Sequence, residues 1–182
     1  MTSSKQLMDD GAYDHISVGT MVPRVQLPAT TGELLDVVAS AGVTVAFLYP
    51  ATGVPGEPLP AGWMDIPGAY GCTAESCRFR DLASDFTEIG AELRGISTQT
   101  PEEQAEFAAR EHIGYPLLSD HRLELVEAFR LPTLSAGGGP PRIRRATLIV
   151  GPDRHLRAVL YPITDPAGHA DEVLRMLQGH GP

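Results

Sequence analysis

Cys72-Thr73-Ala74-Glu75-Ser76-Cys77 contains both cysteines of the chain, five positions apart. The stretch follows a continuous apolar run, Val43 to Tyr49, and opens a helix with one apolar face. Because the N-terminus of a helix carries partial positive charge, a cysteine placed there is stabilised as the thiolate. The pattern therefore predicts a reactive thiol with a lowered pKa at Cys72.

Helical geometry limits what the two cysteines can do together. At about 100° per residue, Cys72 shares the apolar face with Phe79 and Phe86, whereas Cys77 lies about 140° around the helix. Their Cα atoms would be roughly 8 to 9 Å apart, and a disulfide needs about 4.4–6.8 Å. The pair can therefore form a disulfide only after the first turns unwind. Such a pair suits a cycle in which a peroxide oxidises Cys72 to a sulfenic acid that condenses with Cys77.

The composition indicates a globular protein of one domain. Its 182 residues are 42% hydrophobic, enough for a sizeable core. A net charge of −9 disfavours nucleic acids and anionic membranes as partners. The first residues lack the apolar core of a signal peptide, and no apolar run approaches the roughly 20 residues of a membrane span. We therefore expect a cytoplasmic protein, in a compartment where structural disulfides are rare.

Alternating strands and helices predict an α/β domain built on a mixed β-sheet with helices on both faces. Residues 1–18 are small and polar and predict a flexible N-terminal arm, followed by a single domain over residues 19–182. A hairpin with its turn at Gly32 is expected to open that domain. The predicted strands are 43–49, 92–97, 115–118, 144–150 and 156–161, and the predicted helices are 73–89, 101–111, 121–129 and 170–177.

Residues 51–71 form a long connection between the apolar run and the first cysteine. They contain four prolines and five glycines, together with Trp63 and Tyr70, so a loop is expected. A connection of this length in a compact domain tends to be functional. The alternatives are a segment inserted without a role and, for Trp63, a small hydrophobic cluster beneath the loop.

Four chemical interpretations of the cysteine pair remain open at this point. A zinc site is disfavoured, because two cysteines on one helix without a nearby histidine are too few ligands. An inert buried pair is disfavoured by the glycine-rich approach and by the position at a helix start. A peroxidase and a redox switch without peroxidase activity both use a reactive Cys72 and a second thiol at Cys77.

The residues around the cysteines resemble a known family. Gly71 to Asp81, with the sequence GCTAESCRFRD, resembles the active-site helix of the peroxiredoxins, and among them peroxiredoxin Q, also called the bacterioferritin comigratory protein type. Further matches occur in the expected order between Val22 and Tyr161. They are the opening hairpin 22–32, Phe47-Leu48-Tyr49-Pro50, Gly95-Ile96-Ser97-Thr98 and Leu117-Leu118-Ser119-Asp120.

The resemblance implies a thioredoxin-like fold and the reduction of hydrogen peroxide and organic hydroperoxides without a cofactor or a metal. It implies that Cys72 is the peroxidatic cysteine and that Cys77 is the resolving cysteine, which forms an intrachain disulfide. The reductant in such proteins is a thioredoxin- or glutaredoxin-type protein, and the proteins are monomers or homodimers. The match Arg145-Ala146-Thr147 makes Arg145 the cation beside the thiolate. Arg144 is the alternative, since alternation on a strand lets only one of the two face the site.

Two departures from the family pattern lie just before the first cysteine. Asp65 and Ala69 stand where the family has Pro and Thr, and Tyr49-Pro50 lies 22 residues before Cys72, with an inserted segment between them. The missing threonine hydroxyl would orient the peroxide. We expect Thr52 to fold back into its place and bind the substrate.

Gly71 and Glu75 complete the expected substrate-binding residues. Gly71 directly precedes the peroxidatic position of the family motif. Glu75 lies one turn after Cys72, where it either anchors a hydrogen bond in the pocket or is a first-turn acid that favours the helix dipole. The missing threonine also keeps a second function open, a redox-sensing or binding module with a thioredoxin-like fold and little peroxidase activity.

Overall fold

The structure is a computed structural model that describes residues 8–179. Its strands are β1 Gln26–Pro28, β2 Leu34–Asp36, β3 Val43–Leu48, β4 Ala91–Ser97, β5 Leu117–Ser119, β6 Thr133–Leu134, β7 Arg142–Ile143, β8 Ala146–Val150 and β9 Leu156–Leu160. Its helices are α1 Cys72–Asp81, α2 Ala83–Glu88, α3 Pro101–Arg110, α4 Glu124–Phe129 and α5 His169–Gly179. Among the described residues, no helix is both long and apolar enough to cross a membrane.

The central sheet has five strands in the order β5-β4-β3-β8-β9. β3 pairs in parallel with β4 and antiparallel with β8, which makes the sheet mixed. Successive side chains of β3 point to opposite faces, so Phe47 packs in one buried cluster and Leu48 in the other. A strand that is covered on both faces buries nearly every side chain, which explains why all residues of β3 except Thr44 are apolar. The predicted α/β architecture and its central strand are confirmed.

The predicted N-terminal hairpin is also confirmed. β1 and β2 pair antiparallel, with Gln26 opposite Asp36. Gly32 lies in the connecting turn with a φ of 90°, a left-handed conformation that glycine adopts without steric cost. Leu27 is buried in the same cluster as Leu48, so the hairpin is packed onto one face of the central sheet.

The described part of the predicted flexible arm is packed against the domain. Residues 1–7 lie outside the described residues. Tyr13 and Ile16 are both buried in the hydrophobic core, and the Tyr13 hydroxyl donates a hydrogen bond to the Arg144 carbonyl at 2.7 Å. The boundary predicted at residue 18 therefore falls inside packed structure, because two apolar side chains three positions apart anchor an otherwise polar segment.

The helix predicted over residues 73–89 is divided into α1 and α2. Leu82 lies between them with φ −103° and ψ 7°, outside α-helical values. Phe79 and Phe86 lie on either side of this break and are both fully buried, with ring centroids 5.7 Å apart. Ile89, the residue that follows α2, is 40% exposed.

Side-chain hydrogen bonds set the starts of two other helices. α3 begins with a capping box, in which Thr100 Oγ1 accepts from the Glu103 N–H and Glu103 Oε2 accepts from the Thr100 N–H. Thr100 is therefore the N-cap of α3. α4 begins three residues later than predicted, because the Asp120 carboxylate accepts hydrogen bonds from the N–H groups of Leu125 and Val126.

Candidate active site

Helix α1 begins against the carboxyl end of β3. Gly71 precedes the helix with a φ of 100°, and a Cβ at this position would lie 2.8 Å from Pro166 Cγ. Both the conformation and the close approach require glycine. The helix therefore starts at Cys72, which is only 3% exposed and packs in the same cluster as Tyr49 at the end of β3.

The Cys72 sulfur is surrounded by hydrogen-bonding groups from three parts of the chain. Its thiol donates to the Ala69 carbonyl at 3.6 Å, and Arg145 Nη2 donates to its sulfur at 3.0 Å. The Ala51 backbone N–H lowers the pKa of the same thiol. The loop before α1, the residues after β3 and the strand β8 region therefore converge on one thiol.

Arg145 is held in a fixed position by several acceptors. Its Nε donates to the Gly68 carbonyl at 3.2 Å, its Nη2 to the Tyr70 carbonyl at 3.0 Å, and its Nη1 to the Glu75 carboxylate. Its side chain is almost completely buried. The neighbouring Arg144 points elsewhere and pairs with Asp10 at 2.8 Å. Of the two arginines considered from the sequence, only Arg145 contacts Cys72.

Glu75 is a fully buried carboxylate on the first turn of α1. One oxygen, Oε2, accepts from Arg145, while Oε1 has no hydrogen-bond partner among the described residues. Burial raises the pKa of Glu75 to about 7, although Arg145 opposes this change. Glu75 is thus a buried partner of Arg145 on the first turn of α1.

The acidity of Cys72 differs from the expectation. Burial raises the pKa of the Cys72 thiol, because the charged thiolate loses contact with water. Arg145 lowers this pKa, Glu75 raises it, and the Ala51 N–H lowers it, but burial has the largest effect. The predicted lowering came from the helix start alone, whereas the complete burial of the sulfur depends on the folded chain around it.

Cys77 is partly exposed and lies on another side of α1. Its thiol donates to Glu111 Oε2 at 3.6 Å, and Arg80 Nη1 lies 3.7 Å from its sulfur. Burial raises the pKa of Cys77, Arg80 lowers it and Glu111 raises it. Both cysteines are free thiols within the intact helix α1. A disulfide between Cys72 and Cys77 therefore requires the helix to unwind.

Two contacts resist this unwinding. The Tyr115 hydroxyl donates to the Ser76 carbonyl at 2.8 Å in a buried position. Arg78 makes a two-point ion pair with Asp171 of α5, with distances of 2.6 and 2.7 Å. The first contact lies in the interior and the second on the surface, where ion pairs contribute little. Tyr115 is therefore the stronger restraint on the middle of α1.

The structure gives Thr52 a partner other than the thiol. Its hydroxyl donates to Gln99 Oε1 at 3.1 Å, and its backbone N–H donates to the same oxygen at 2.8 Å. Gln99 Nε2 in turn donates to the Thr52 carbonyl at 3.3 Å. Thr52 is therefore near the site through its neighbour Ala51, but its hydroxyl is bonded to Gln99. Ala69, at the expected threonine position, is completely buried and contributes only its carbonyl.

The fold brings two further residues to this region, Gln99 and His169. Gln99 was not identified, although it follows β4, whose carboxyl end lies beside that of β3. His169 is buried with its Nε2 2.8 Å from Thr147 Oγ1, and its ring contacts Phe79 of α1 with centroids 6.1 Å apart. His169 thus bonds to Thr147, which lies two residues after Arg145 in the sequence. Folding creates this proximity, so the linear sequence does not show it.

The chain is similar over most of its length to proteins named as peroxiredoxins. A profile described as the AhpC/TSA family matches residues 66–159. A peroxiredoxin of Mycobacterium tuberculosis strain H37Rv is 34% identical over 165 residues, which are 90% of this chain and 97% of the relative. Peroxiredoxin Bcp of Escherichia coli K12 is 26% identical over 168 residues, which are 91% and 97% of the two chains. The crystal structure of peroxidoxin BcpB from M. tuberculosis matches with a TM-score of 0.74 and 32% identity, over 92% of this chain and all of the other.

Proposed function

This chain belongs to the AhpC/TSA family and is a peroxiredoxin, a thiol-dependent peroxidase with a thioredoxin-like fold, and we propose how its residues carry out the reaction. Its substrate is a peroxide, and its electrons come from a thiol reductant. One observation supports the assignment of residues above all others, the 3.0 Å contact between Arg145 Nη2 and Cys72 Sγ at the start of α1. A buried guanidinium stabilises both a thiolate and the negative charge that develops on a peroxide oxygen.

The first step is attack by the Cys72 thiolate on the peroxide. A sulfur–oxygen bond forms as the oxygen–oxygen bond breaks, and the leaving oxygen takes up a proton to become water or an alcohol. Arg145 and the backbone N–H groups at the start of α1 stabilise the leaving oxygen. Cys72 is left as a sulfenic acid.

The second step is resolution by Cys77. Its thiol attacks the sulfenic sulfur, water leaves, and an intrachain disulfide forms after α1 unwinds. A thioredoxin- or glutaredoxin-type protein then reduces the disulfide by thiol exchange. A reducing compartment such as the cytoplasm supplies such a partner. The partial exposure of Cys77 supports this order, since the incoming thiol needs access to the disulfide.

Three further residues position the reacting groups. Gly71 allows the backbone to enter α1 beside Pro166 and so sets the position of Cys72. Glu75 holds Arg145 against the thiol. Thr52 is bonded to Gln99 and directly follows Ala51, whose N–H lowers the pKa of the Cys72 thiol, and we assign Thr52 to the substrate site in this indirect way.

Removal of each cysteine tests the assignment. We expect Cys72→Ser to abolish peroxide consumption, because a serine hydroxyl is not ionised at neutral pH. Cys77→Ser should consume one equivalent of peroxide and then depend on an added small thiol. Peroxide consumption measured with and without that thiol distinguishes the two variants, and full activity of Cys72→Ser would overturn the assignment.

A further inference from the structure

The thiol of Cys77 lies between two charged groups of opposite sign. It donates a hydrogen bond to Glu111 Oε2 at 3.6 Å, and Arg80 Nη1 lies 3.7 Å from its sulfur. Glu111 directly follows helix α3, whereas Arg80 lies one turn further along α1. A carboxylate is a far weaker base than a thiolate, so the proton of this hydrogen bond stays on sulfur. The contact with Glu111 therefore favours Cys77 as a neutral thiol.

Glu111 is held in place by its own neighbours. Arg110 Nε donates to Glu111 Oε1 at 3.2 Å, which leaves Oε2 to accept from Cys77. Arg110 also donates, through Nη2, to the Gly53 carbonyl at 3.0 Å. Because Gly53 belongs to the inserted loop before α1, that loop helps to fix the carboxylate that Cys77 contacts. The acceptor is therefore preorganised by the fold.

Arg80 joins the same two helices. Its Nη1 donates to the main-chain carbonyl of Glu111 at 2.6 Å, and its Nε and Nη2 donate to Asp81 Oδ1. The bond to the carbonyl uses the backbone of Glu111, so it remains when the side chain is changed. It holds the second half of α1 against the end of α3. Cys77 is thus kept beside the Glu111 carboxylate while α1 is folded.

The charged groups around Cys77 change its acidity in opposite directions. Burial raises the pKa of the Cys77 thiol, Arg80 lowers it, and Glu111 raises it through both its charge and its hydrogen bond. Asp81 raises this pKa as well, and Tyr115 interacts with the same thiol. Arg80 and Asp81 stay near Cys77 in an unwound segment, because they lie three and four residues away. Glu111 is 34 positions away, so unwinding removes its effect.

We propose that Glu111 is a positioning residue for Cys77, which it holds as a neutral thiol in folded α1 and releases as a nucleophilic thiolate when the helix unwinds. The proposal rests on the resolving role of Cys77 proposed above and adds the group that controls when Cys77 reacts. While α1 is folded, the two sulfurs cannot meet, and a thiolate at the partly exposed Cys77 would be open to other oxidants and disulfides. A neutral thiol limits these side reactions.

Unwinding brings Cys77 from this contact into water, where it loses its proton more readily. Its sulfur then attacks the sulfenic sulfur of Cys72. The sulfur–sulfur bond forms as the sulfur–oxygen bond breaks, and the leaving hydroxide takes up a proton to become water. The Cys72 sulfur is reduced and the Cys77 sulfur is oxidised, so this step needs no further oxidant or reductant.

The pH dependence of Cys77 alkylation tests the proposal. Iodoacetamide reacts with the thiolate, so its rate follows the ionisation of the thiol. A Cys72→Ser background leaves Cys77 as the single thiol of the chain. We expect Glu111→Gln to move the midpoint to lower pH and to raise the rate at neutral pH several-fold, because the amide keeps the shape of the side chain and removes its charge. A midpoint that stays in place or rises would overturn the proposal.

Two further variants separate the effect of charge from a general loosening of α1. Glu106→Gln is the matched control, since Glu106 also pairs with Arg110 but does not bond to Cys77, and it should leave the midpoint unchanged. Arg80→Gln removes the cation and should move the midpoint to higher pH, whereas loosening would expose the sulfur to water and move it to lower pH. Shifts to lower pH in both Glu111→Gln and Arg80→Gln, or in Glu106→Gln, would refute the role of the Glu111 charge.

Unfolding in urea tests whether the effect depends on the folded helix. We expect the Cys72→Ser protein and its Glu111→Gln variant to share one midpoint in urea, and a difference that persists there would count against the proposal. Alkylation needs no peroxide, so these midpoints decide the role of Glu111 independently of peroxidase activity. Repeated turnover by Cys77→Ser without an added thiol would instead contradict the resolving role itself.

Discussion

At the scale of single residues, the acidity of Cys72 depends on a cation and an anion in the same buried pocket. Burial raises the pKa of the Cys72 thiol, Arg145 lowers it and Glu75 raises it further. Glu75 and the thiolate therefore compete for one guanidinium. We expect Glu75→Gln to lower the pKa of Cys72, because the amide still accepts a bond from Arg145 but carries no charge. A pH titration of the ultraviolet absorbance of the thiolate measures this pKa.

The titration needs a single reporting thiol. A Cys77→Ser background removes the second thiol while keeping Cys72, Arg145 and Glu75 in place. Asp171→Asn serves as the matched control, since it removes another acid that pairs with an arginine, at the surface and away from Cys72. A pKa of Cys72 that stays constant or rises in Glu75→Gln would contradict competition for Arg145.

Gly71 carries two separate constraints, and a second glycine isolates one of them. Gly71 and Gly32 both have left-handed φ values, of 100° and 90°, which cost a non-glycine residue roughly 1–2 kcal/mol. Only at Gly71 would a new Cβ also meet another residue, Pro166. We expect Gly71→Ala to lower the free energy of unfolding by more than Gly32→Ala, and urea unfolding measures both. Equal losses would show that the contact with Pro166 has no energetic effect.

The members of the site were predictable from the sequence, but their acidity was not. The spacing of Cys72 and Cys77 and the position of Arg145 are local motif features. The complete burial of Cys72, which sets the direction of its pKa change, comes from loops and strands that are far apart in the chain. The hydrogen-bond partner of the Thr52 hydroxyl was unpredictable for the same reason, because this partner is Gln99, 47 positions further along the chain.

At the scale of elements, α1 must unwind before the two thiols can meet. The buried bond from the Tyr115 hydroxyl to the Ser76 carbonyl holds the middle of this helix. A hydrogen bond of this kind contributes about 0.5–1.5 kcal/mol. We therefore expect Tyr115→Phe to make unwinding easier and to speed disulfide formation several-fold after addition of one equivalent of peroxide. Stopped-flow fluorescence of Trp63 and trapping of free thiols measure this rate.

A second tyrosine provides the control for this prediction. The Tyr161 hydroxyl also donates one hydrogen bond, to Asp10 at 2.6 Å. This bond does not involve α1. Tyr161→Phe should therefore leave the rate of disulfide formation unchanged. Amide hydrogen exchange of residues 72–81 should increase only in Tyr115→Phe, and equal exchange in the two variants would contradict the assigned restraint.

Periodicity predicted the elements better than it predicted their ends. Phe79 and Phe86 are seven positions apart, so they fit one continuous helix as well as two helices divided at Leu82. The pair β6 and β7 was missed because strands of two residues are too short to show alternation. Residues 135–141, between β6 and β7, are marked as a loop by three glycines and two prolines.

At the scale of the whole molecule, the central sheet was predictable because β3 is apolar at every position except Thr44. The packing of Tyr13 and Ile16 was not, since isolated apolar residues in a polar segment carry no period. The contact between α5 and the active-site helix α1 was also not predictable from the sequence. His169 of α5 links Thr147 of β8 to Phe79 of α1, and so connects three elements that are distant in sequence.

This buried histidine makes stability depend on pH. Burial lowers the pKa of His169 below its usual 6.5, although Glu172 and Asp165 raise it and Arg145 lowers it further. Below pH 6.5 the unfolded chain binds a proton that the folded protein excludes. The contribution of His169 to the free energy of unfolding is therefore complete above pH 6.5 and decreases as the pH falls. Glu75 has the opposite effect, because its raised pKa makes the folded protein bind a proton that the unfolded chain has released. Its contribution to the free energy of unfolding therefore decreases as the pH rises from 4.5 to about 7.

Because these two effects oppose each other in the unmodified protein, a variant is needed to isolate His169. We expect His169→Gln to lower the free energy of unfolding above pH 6.5, through the loss of its packing on Phe79, and to remove the part of the pH dependence that lies below 6.5. The measurement is urea unfolding across this range, taken as the difference between variant and unmodified protein at each pH. A difference between His169→Gln and the unmodified protein that does not shrink as the pH falls would show that His169 is protonated equally in the folded and unfolded states.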